Sequence, residues 1–175
     1  ALQKYAERLM EGKTGSLVAI DPSSGEILAL VSAPSYDPSL FSGRAFSQNF
    51  ATIQRDSLKP LFNRPLQAMY PPGSMFKTIQ ALIALEQDQV RADEIITVNG
   101  QLIGDHAPPG RYDMERAITK SSNNYFFKVF RRVIQQGEDP SPFIDSRIGY
   151  SKWRDYVLQF GFGKMLDIDL PNEKA

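Results

Sequence analysis

Ser74, Lys77, Ser121 and Asn123 are the residues whose types and spacing can do chemistry. A serine and a lysine three apart on a helix share a face, so the Lys77 amine can approach the Ser74 hydroxyl. Serine is a poor nucleophile until a base takes its proton. Lysine serves as that base only when burial or nearby positive charge keeps it neutral. A helix start at Ser74 also aims backbone N–H groups at a developing oxyanion. Ser121-Ser122-Asn123 is a second polar motif. Its hydroxyl can relay a proton between Lys77 and a leaving group, and its asparagine amide donates and accepts toward a peptide-like substrate. Each motif alone has a plainer reading: a serine cap with a solvated lysine, and a cap for the next helix. Ser-x-x-Lys arises by chance about once in a chain of this composition. The chemical reading rests on the conjunction: the Tyr70-Pro71-Pro72-Gly73 lead-in, a helix start at the serine, and the second motif downstream.

The elements that must position these residues can be read from periodicity. Leu2, Tyr5, Ala6, Leu9 and Met10 recur at helical spacing, and Gly12 stops that helix. Apolar runs at residues 17–20 and 27–31 flank Asp21-Pro22-Ser23-Ser24-Gly25, which favours a tight reversal, so the spacing predicts an antiparallel hairpin. Residues 32–64 read as a long ordered loop or lobe, with room for a short helix. Phe76, Ile79, Leu82, Ile83 and Leu85 mark a helix from Ser74. Residues 95–98 form a short strand. Asp113 caps a brief helix through Ile118, residues 121–124 interrupt it, and residues 125–134 form another. Ser151 caps a further helix through Phe160, ended by Gly161 and Gly163. A lone hairpin is marginal, so further strands are expected downstream of Ala175. The expected fold class is α+β, with helices packed on an antiparallel sheet.

Composition excludes several classes. The 175 residues are 42% apolar and 23% charged, enough for a core and typical of a soluble domain. Lys+Arg and Asp+Glu are equal at twenty each, so no basic field exists to hold nucleic acid. The basic run at residues 128–132 reads as a solvated helix face. Without cysteine there is no disulfide, thiolate metal site or cysteine nucleophile, and the single His106 cannot build a multi-histidine metal centre. Asp167 and Asp169 read as surface or turn residues, since a metal site needs more converging ligands. Met75 and Phe76 read as packing residues, and no cofactor is implied. No apolar run is long enough to span a membrane and no signal pattern opens the chain. The ends read as cuts, with any anchor upstream.

The two motifs, in this order and at this separation, resemble the serine acyltransferases that penicillin inactivates. The resemblance continues through Ile20-Asp21-Pro22-Ser23-Ser24-Gly25-Glu26-Ile27-Leu28-Ala29 and Pro34-Ser35-Tyr36-Asp37-Pro38. It includes Asn63-Arg64-Pro65, Tyr70-Pro71-Pro72-Gly73-Ser74, Phe160-Gly161-Phe162-Gly163 and Ile168-Asp169-Leu170-Pro171. These segments are similar to the class B penicillin-binding transpeptidases, those of the elongation type most of all. Three departures stand out. No Lys-(Ser/Thr)-Gly follows Asn123. Lys13-Thr14-Gly15 precedes the nucleophile and reads as a chance match. Met165-Leu166-Asp167 replaces the Thr-Gly pair common in that segment, which puts a local turn in question.

The resemblance implies a penicillin-recognising, β-lactamase-like fold, with residues 1–175 a partial transpeptidase domain cut before the Lys-(Ser/Thr)-Gly strand. It implies a peptidoglycan D,D-transpeptidase with Ser74 as nucleophile, Lys77 as base, Ser121 as proton relay and Asn123 as partner of substrate and lysine. The implied ligands are stem peptides ending in D-Ala-D-Ala and β-lactam antibiotics, with cell-wall synthesis proteins as possible partners of the parent. The implied location is the outer, periplasmic face of the bacterial cytoplasmic membrane. His106 is expected to order the loop before the second motif. A Ser-His-Asp hydrolase is disfavoured, because Gly-x-Ser-x-Gly is absent around Ser74. A serine β-lactamase is nearer in fold, and steady β-lactam hydrolysis would distinguish it. A β-lactam sensor or non-catalytic scaffold on the same fold is the alternative from another class.

Overall fold

The structure, a computed structural model, describes residues 1–100, 102–165, 168–171 and 173–174. They form two compact units, Ala1–Tyr70 with Met165–Lys174, and Pro71–Lys164.

The first unit contains α1 (Leu2–Leu9), β1 (Gly15–Ile20), β2 (Ile27–Ala33), α2 (Phe46–Arg55) and α3 (Arg64–Gln67). The expected hairpin is present: β1 and β2 pair antiparallel with Val18 opposite Leu30, and the register shifts once between Ala19 and Ile20. Asp21 closes the reversal by accepting from the Ser23 N–H at 2.8 Å, and Gly25 supplies φ +78°. Ala6 of α1 packs with Ala29 and Val31, so one hairpin face is covered. Val18, Ile20 and Leu28 stay exposed. The Gln3 side chain donates to the Leu30 carbonyl at 3.0 Å and accepts from its N–H at 2.8 Å. An amide side chain thus occupies the β2 edge as a neighbouring strand would.

Residues 32–64 are more regular than expected, because they include the ten-residue α2. Its Phe46 and Phe50 stack at 6.0 Å, and Phe41 lies 6.1 and 5.9 Å from them. Serine, glutamine and asparagine between Phe46 and Phe50 dilute the periodic signal.

The second unit holds α4 (Phe76–Glu86), β3 (Ile96–Val98), β4 (Gly110–Tyr112), α5 (Met114–Thr119), α6 (Asn123–Ile134) and α7 (Pro142–Gln159). Its core gathers Ile83 and Ala84 of α4, Ile96 and Val98 of β3, Tyr112, Ala117, and Tyr125, Val129 and Val133 of α6. Strand β4 was not anticipated. Three residues are too few for alternation to register, yet Tyr112 pairs with Ile96 and is fully buried. The basic run is a partly solvated face of α6: Arg132 pairs with Glu94 at 2.6 Å and Lys128 donates to the Thr97 carbonyl at 2.7 Å.

Two helix starts differ from expectation. Helix α6 begins at Asn123 rather than at residue 125, because Ser122 is its cap and accepts from the Tyr125 N–H at 3.2 Å. Helix α7 begins at Pro142, so Ser151 lies inside it rather than capping it. Proline suits a first turn, where no N–H partner is needed. Gly149 lies inside this helix. Its role is close approach: a Cβ there would lie 2.5 Å from the Ile134 carbonyl oxygen. No helix among the described residues is long and apolar enough to cross a membrane.

Candidate active site

Pro72 and Gly73 lead into a single 3₁₀ turn, Gly73–Met75, with Gly73 at φ +59°. Ser74 sits exposed in that turn and α4 follows directly, as the lead-in implied. Phe76 packs inward, 6.0 Å from Trp153 and 5.8 Å from Phe162. Met75 does not pack as expected; it is 82% exposed. Trp153 Nε1 donates to Gln80 Oε1 at 2.9 Å, one turn below Lys77, and so ties α7 to the nucleophile helix. The sequence offered no sign of this anchor, since α7 itself was mis-bounded.

All four anticipated residues converge. The Lys77 amine donates to the Ser121 carbonyl at 2.6 Å, the Ser121 hydroxyl at 2.9 Å and Asn123 Oδ1 at 2.6 Å. Ser121 Oγ stands 2.9 Å from Ser74 Oγ. The expected direct approach of Lys77 to Ser74 is therefore replaced by a bridge through Ser121. Asn123 Nδ2 donates to the Gly104 carbonyl at 2.7 Å, which orients its Oδ1 toward the lysine. Ser121 adopts φ +53°, in the left-handed region, as α5 gives way to α6. Partial burial pushes the Lys77 amine below its ordinary pKa, while the negative charge of Asp105 works in the opposite direction. The Phe126 ring lies 5.9 Å from the amine.

The hydrogen-bond inventory limits what this arrangement can do. A protonated lysine has three donors, and all three are matched by acceptors. A neutral amine has two hydrogens and a lone pair. The Ser121 carbonyl and Asn123 Oδ1 can only accept, so the lone pair must meet the Ser121 hydroxyl. Ser121 then donates to Lys77 and accepts from Ser74. Moving the base proton thus reverses the bonds from Ser74 through Ser121 to Lys77.

Among the described residues His106, expected to order the preceding loop, is exposed, and its neighbour Asp105 makes the bonds there. Asp105 Oδ1 accepts from the Ala107 N–H at 3.0 Å, and Oδ2 accepts from the Ser122 hydroxyl at 3.0 Å and the Asn124 N–H at 2.7 Å. Asn124, 1% exposed, accepts from the Leu102 and Ile103 N–H groups and donates to the Ile103 carbonyl. Sequence reasoning missed both residues. The available signal was one carboxylate in a loop otherwise rich in glycine and proline, followed later by a doubled asparagine. Asp169 is exposed, as expected, while Leu166 and Asp167 lie outside the described residues. Lys13-Thr14-Gly15 lies in the first unit at the start of β1, whereas the four site residues lie in the second.

The family model of the penicillin binding protein transpeptidase domain matches residues 15–175, and the chain belongs to that family. The peptidoglycan D,D-transpeptidase MrdA of Acinetobacter baumannii is 32% identical over 98% of this chain and 25% of its own length. Pseudomonas aeruginosa PBP2, solved in complex with WCK 5153, matches 99% of this chain and 38% of that one at 31% identity and TM-score 0.78. Helicobacter pylori PBP2, solved in complex with MreC, matches 99% and 31% at 29% identity and TM-score 0.82. The chain thus spans about a quarter of the length of the curated relative and about a third of these solved chains. The α+β fold, helices with antiparallel strands, is that of penicillin-binding transpeptidase structures.

Proposed function

We propose that these residues form the nucleophile-bearing part of a serine D,D-transpeptidase that cross-links peptidoglycan and is trapped by β-lactams. The hydrogen-bond chain from Ser74 through Ser121 to Lys77, with Asn123 on the amine, carries this reading. Ser74 Oγ attacks the penultimate D-alanine carbonyl of a stem peptide. Its proton passes to Ser121 as the Ser121 proton passes to Lys77. The tetrahedral intermediate expels terminal D-alanine, whose nitrogen takes a proton back from Lys77 through Ser121. An amine of a second stem then attacks the Ser74 ester, loses its proton along the same route and restores the free hydroxyl. A β-lactam places its ring carbonyl in the donor position and leaves Ser74 acylated.

The Ser74 N–H serves as one oxyanion donor. The second, and the Lys-(Ser/Thr)-Gly strand, are proposed to come from sequence beyond these 175 residues, a reading supported by the greater length of the relatives. Residues 1–175 are then the part of the transpeptidase domain ahead of that strand. Similarity to MrdA and PBP2 supports a role in cell elongation, and a PBP2 solved with MreC supports cell-wall synthesis partners. The same similarity supports a place on the outer face of the cytoplasmic membrane.

The test uses the full-length protein and a fluorescent penicillin. Stable labelling that vanishes in Ser74→Ala is the expected result. Covalent labelling of Ser74→Ala would refute the nucleophile. Cross-linking of stem peptides by the labelled form's unmodified counterpart then separates a synthase from a sensor or scaffold.

A further inference from the structure

Asp105 lies outside the chain from Ser74 to Lys77, yet the turn carrying Ser121 and Asn123 is built around its carboxylate. Oδ2 takes the Ser122 hydroxyl at 3.0 Å, the Asn124 N–H at 2.7 Å and the Asn124 side-chain amide at 3.0 Å. Oδ1 takes the Ala107 N–H at 3.0 Å. Ser122 and Asn124 are buried and stand on either side of Asn123. Ser122 also follows Ser121 directly, so it fixes the left-handed residue whose hydroxyl and carbonyl both face Lys77. An ionised carboxylate only accepts, so these donors are all satisfied by the charged form alone.

We infer that Asp105 is the positioning residue of this site: its carboxylate locks the turn that presents Ser121 and Asn123 to Lys77 and sets a fixed negative charge near that amine. The inference rests on the acyl-transfer reading of Ser74 and Lys77. Two further observations support it. Burial opposes ionisation of Asp105, but hydrogen bonds from the Asn124, Asn123 and Ala107 backbone and the Asn124 amide hold its pKa well below the usual carboxylate range. Its charge also favours the protonated form of Lys77 against the effect of burial. Among the described residues, the other groups in contact with that amine are uncharged: Ser121 and Asn123 from the turn and α6, and the Phe126 ring. His106 and Lys120, the ionisable neighbours of the turn, are both exposed.

The test is acylation of the full-length protein by a fluorescent penicillin as a function of pH, in wild type, Asp105→Asn, Asp105→Glu and Ser74→Ala. Acylation needs neutral Lys77, so the rate falls as pH drops through that amine's pKa. In Asp105→Asn the amide oxygen turns toward the Ser122 and Asn124 donors, which leaves an NH₂ against the Ala107 N–H and removes the charge. Without that charge Lys77 loses its proton more readily, and the acid limb moves to lower pH by on the order of half a unit. The plateau rate falls about 10- to 100-fold because Ser121 and Asn123 are less well held. Asp105→Glu keeps the charge, so its acid limb stays with wild type while its plateau falls. An unmoved acid limb in Asp105→Asn, or an undiminished plateau, overturns the inference. If Asp105→Asn does not fold, Asp105→Glu decides alone: its extra methylene pushes the carboxylate off its donors, and an undiminished plateau there overturns the inference. Labelling of Ser74→Ala would defeat the acyl-transfer reading itself.

Discussion

Ser121→Gly separates chemistry from structure at the residue that bridges nucleophile and base. Glycine accepts φ +53° without the Cβ penalty, which relieves about 1 kcal/mol of backbone strain. Against this, the Lys77 ammonium loses one of its three acceptors, the Ser121 hydroxyl at 2.9 Å. A bond to a charged group contributes about 1.5–3 kcal/mol when buried, and less here because Ser121 and Lys77 are only half-buried. The two effects nearly cancel, so the melting temperature is expected to stay within a few degrees of wild type. Acylation behaves differently. The hydrogen-bonded path from Ser74 to Lys77 runs through the deleted hydroxyl, and loss of a positioned acid–base group costs about 100- to 10,000-fold. That is a barrier increase of about 3–5 kcal/mol. The assay is the second-order rate of β-lactam acylation of the full-length protein, with thermal unfolding measured alongside. A folded Ser121→Gly that acylates within a few-fold of wild type would refute the relay and return Lys77 to direct attack on the Ser74 proton.

Three further outcomes follow from the structure. Gly149→Ala would force a Cβ to within 2.5 Å of the Ile134 carbonyl oxygen where α7 crosses α6; overpacking against backbone costs about 1–3 kcal/mol, seen as a lower melting temperature. Gln3→Ala frees the Leu30 N–H and C=O on the β2 edge; faster hydrogen exchange at Leu30 and more self-association by sedimentation are expected, and unchanged Leu30 exchange would show that Gln3 does not guard the edge. The 175 residues alone should acylate about 100- to 1,000-fold more slowly than the complete domain, the cost of one missing oxyanion donor; equal rates would show that no second donor is needed from elsewhere.

The hairpin, the opening helix and the helix after Ser74 were legible because each rests on a local rule. Alternating apolar residues around Asp21-Pro22-Ser23-Ser24-Gly25 make a reversal whatever surrounds them, and Phe76, Ile79 and Ile83 mark a helix face. The four site residues were legible for a related reason: a serine and lysine three apart on a helix share a face, and a polar turn between two helices can project side chains into a cleft. The family followed from motif order. Sequence could not show how the motifs meet. Ser121 stands between Ser74 and Lys77 because α5 ends, the chain turns through a left-handed residue and α6 restarts, all fixed by Asp105 bonds to residues up to nineteen positions away. Such a carboxylate carries no periodic signal. Gly149 allows a close helix crossing, and Tyr112 made a strand only because Ile96 lay opposite. These features depend on partners distant in the chain, and only the packed tertiary structure brings those partners together.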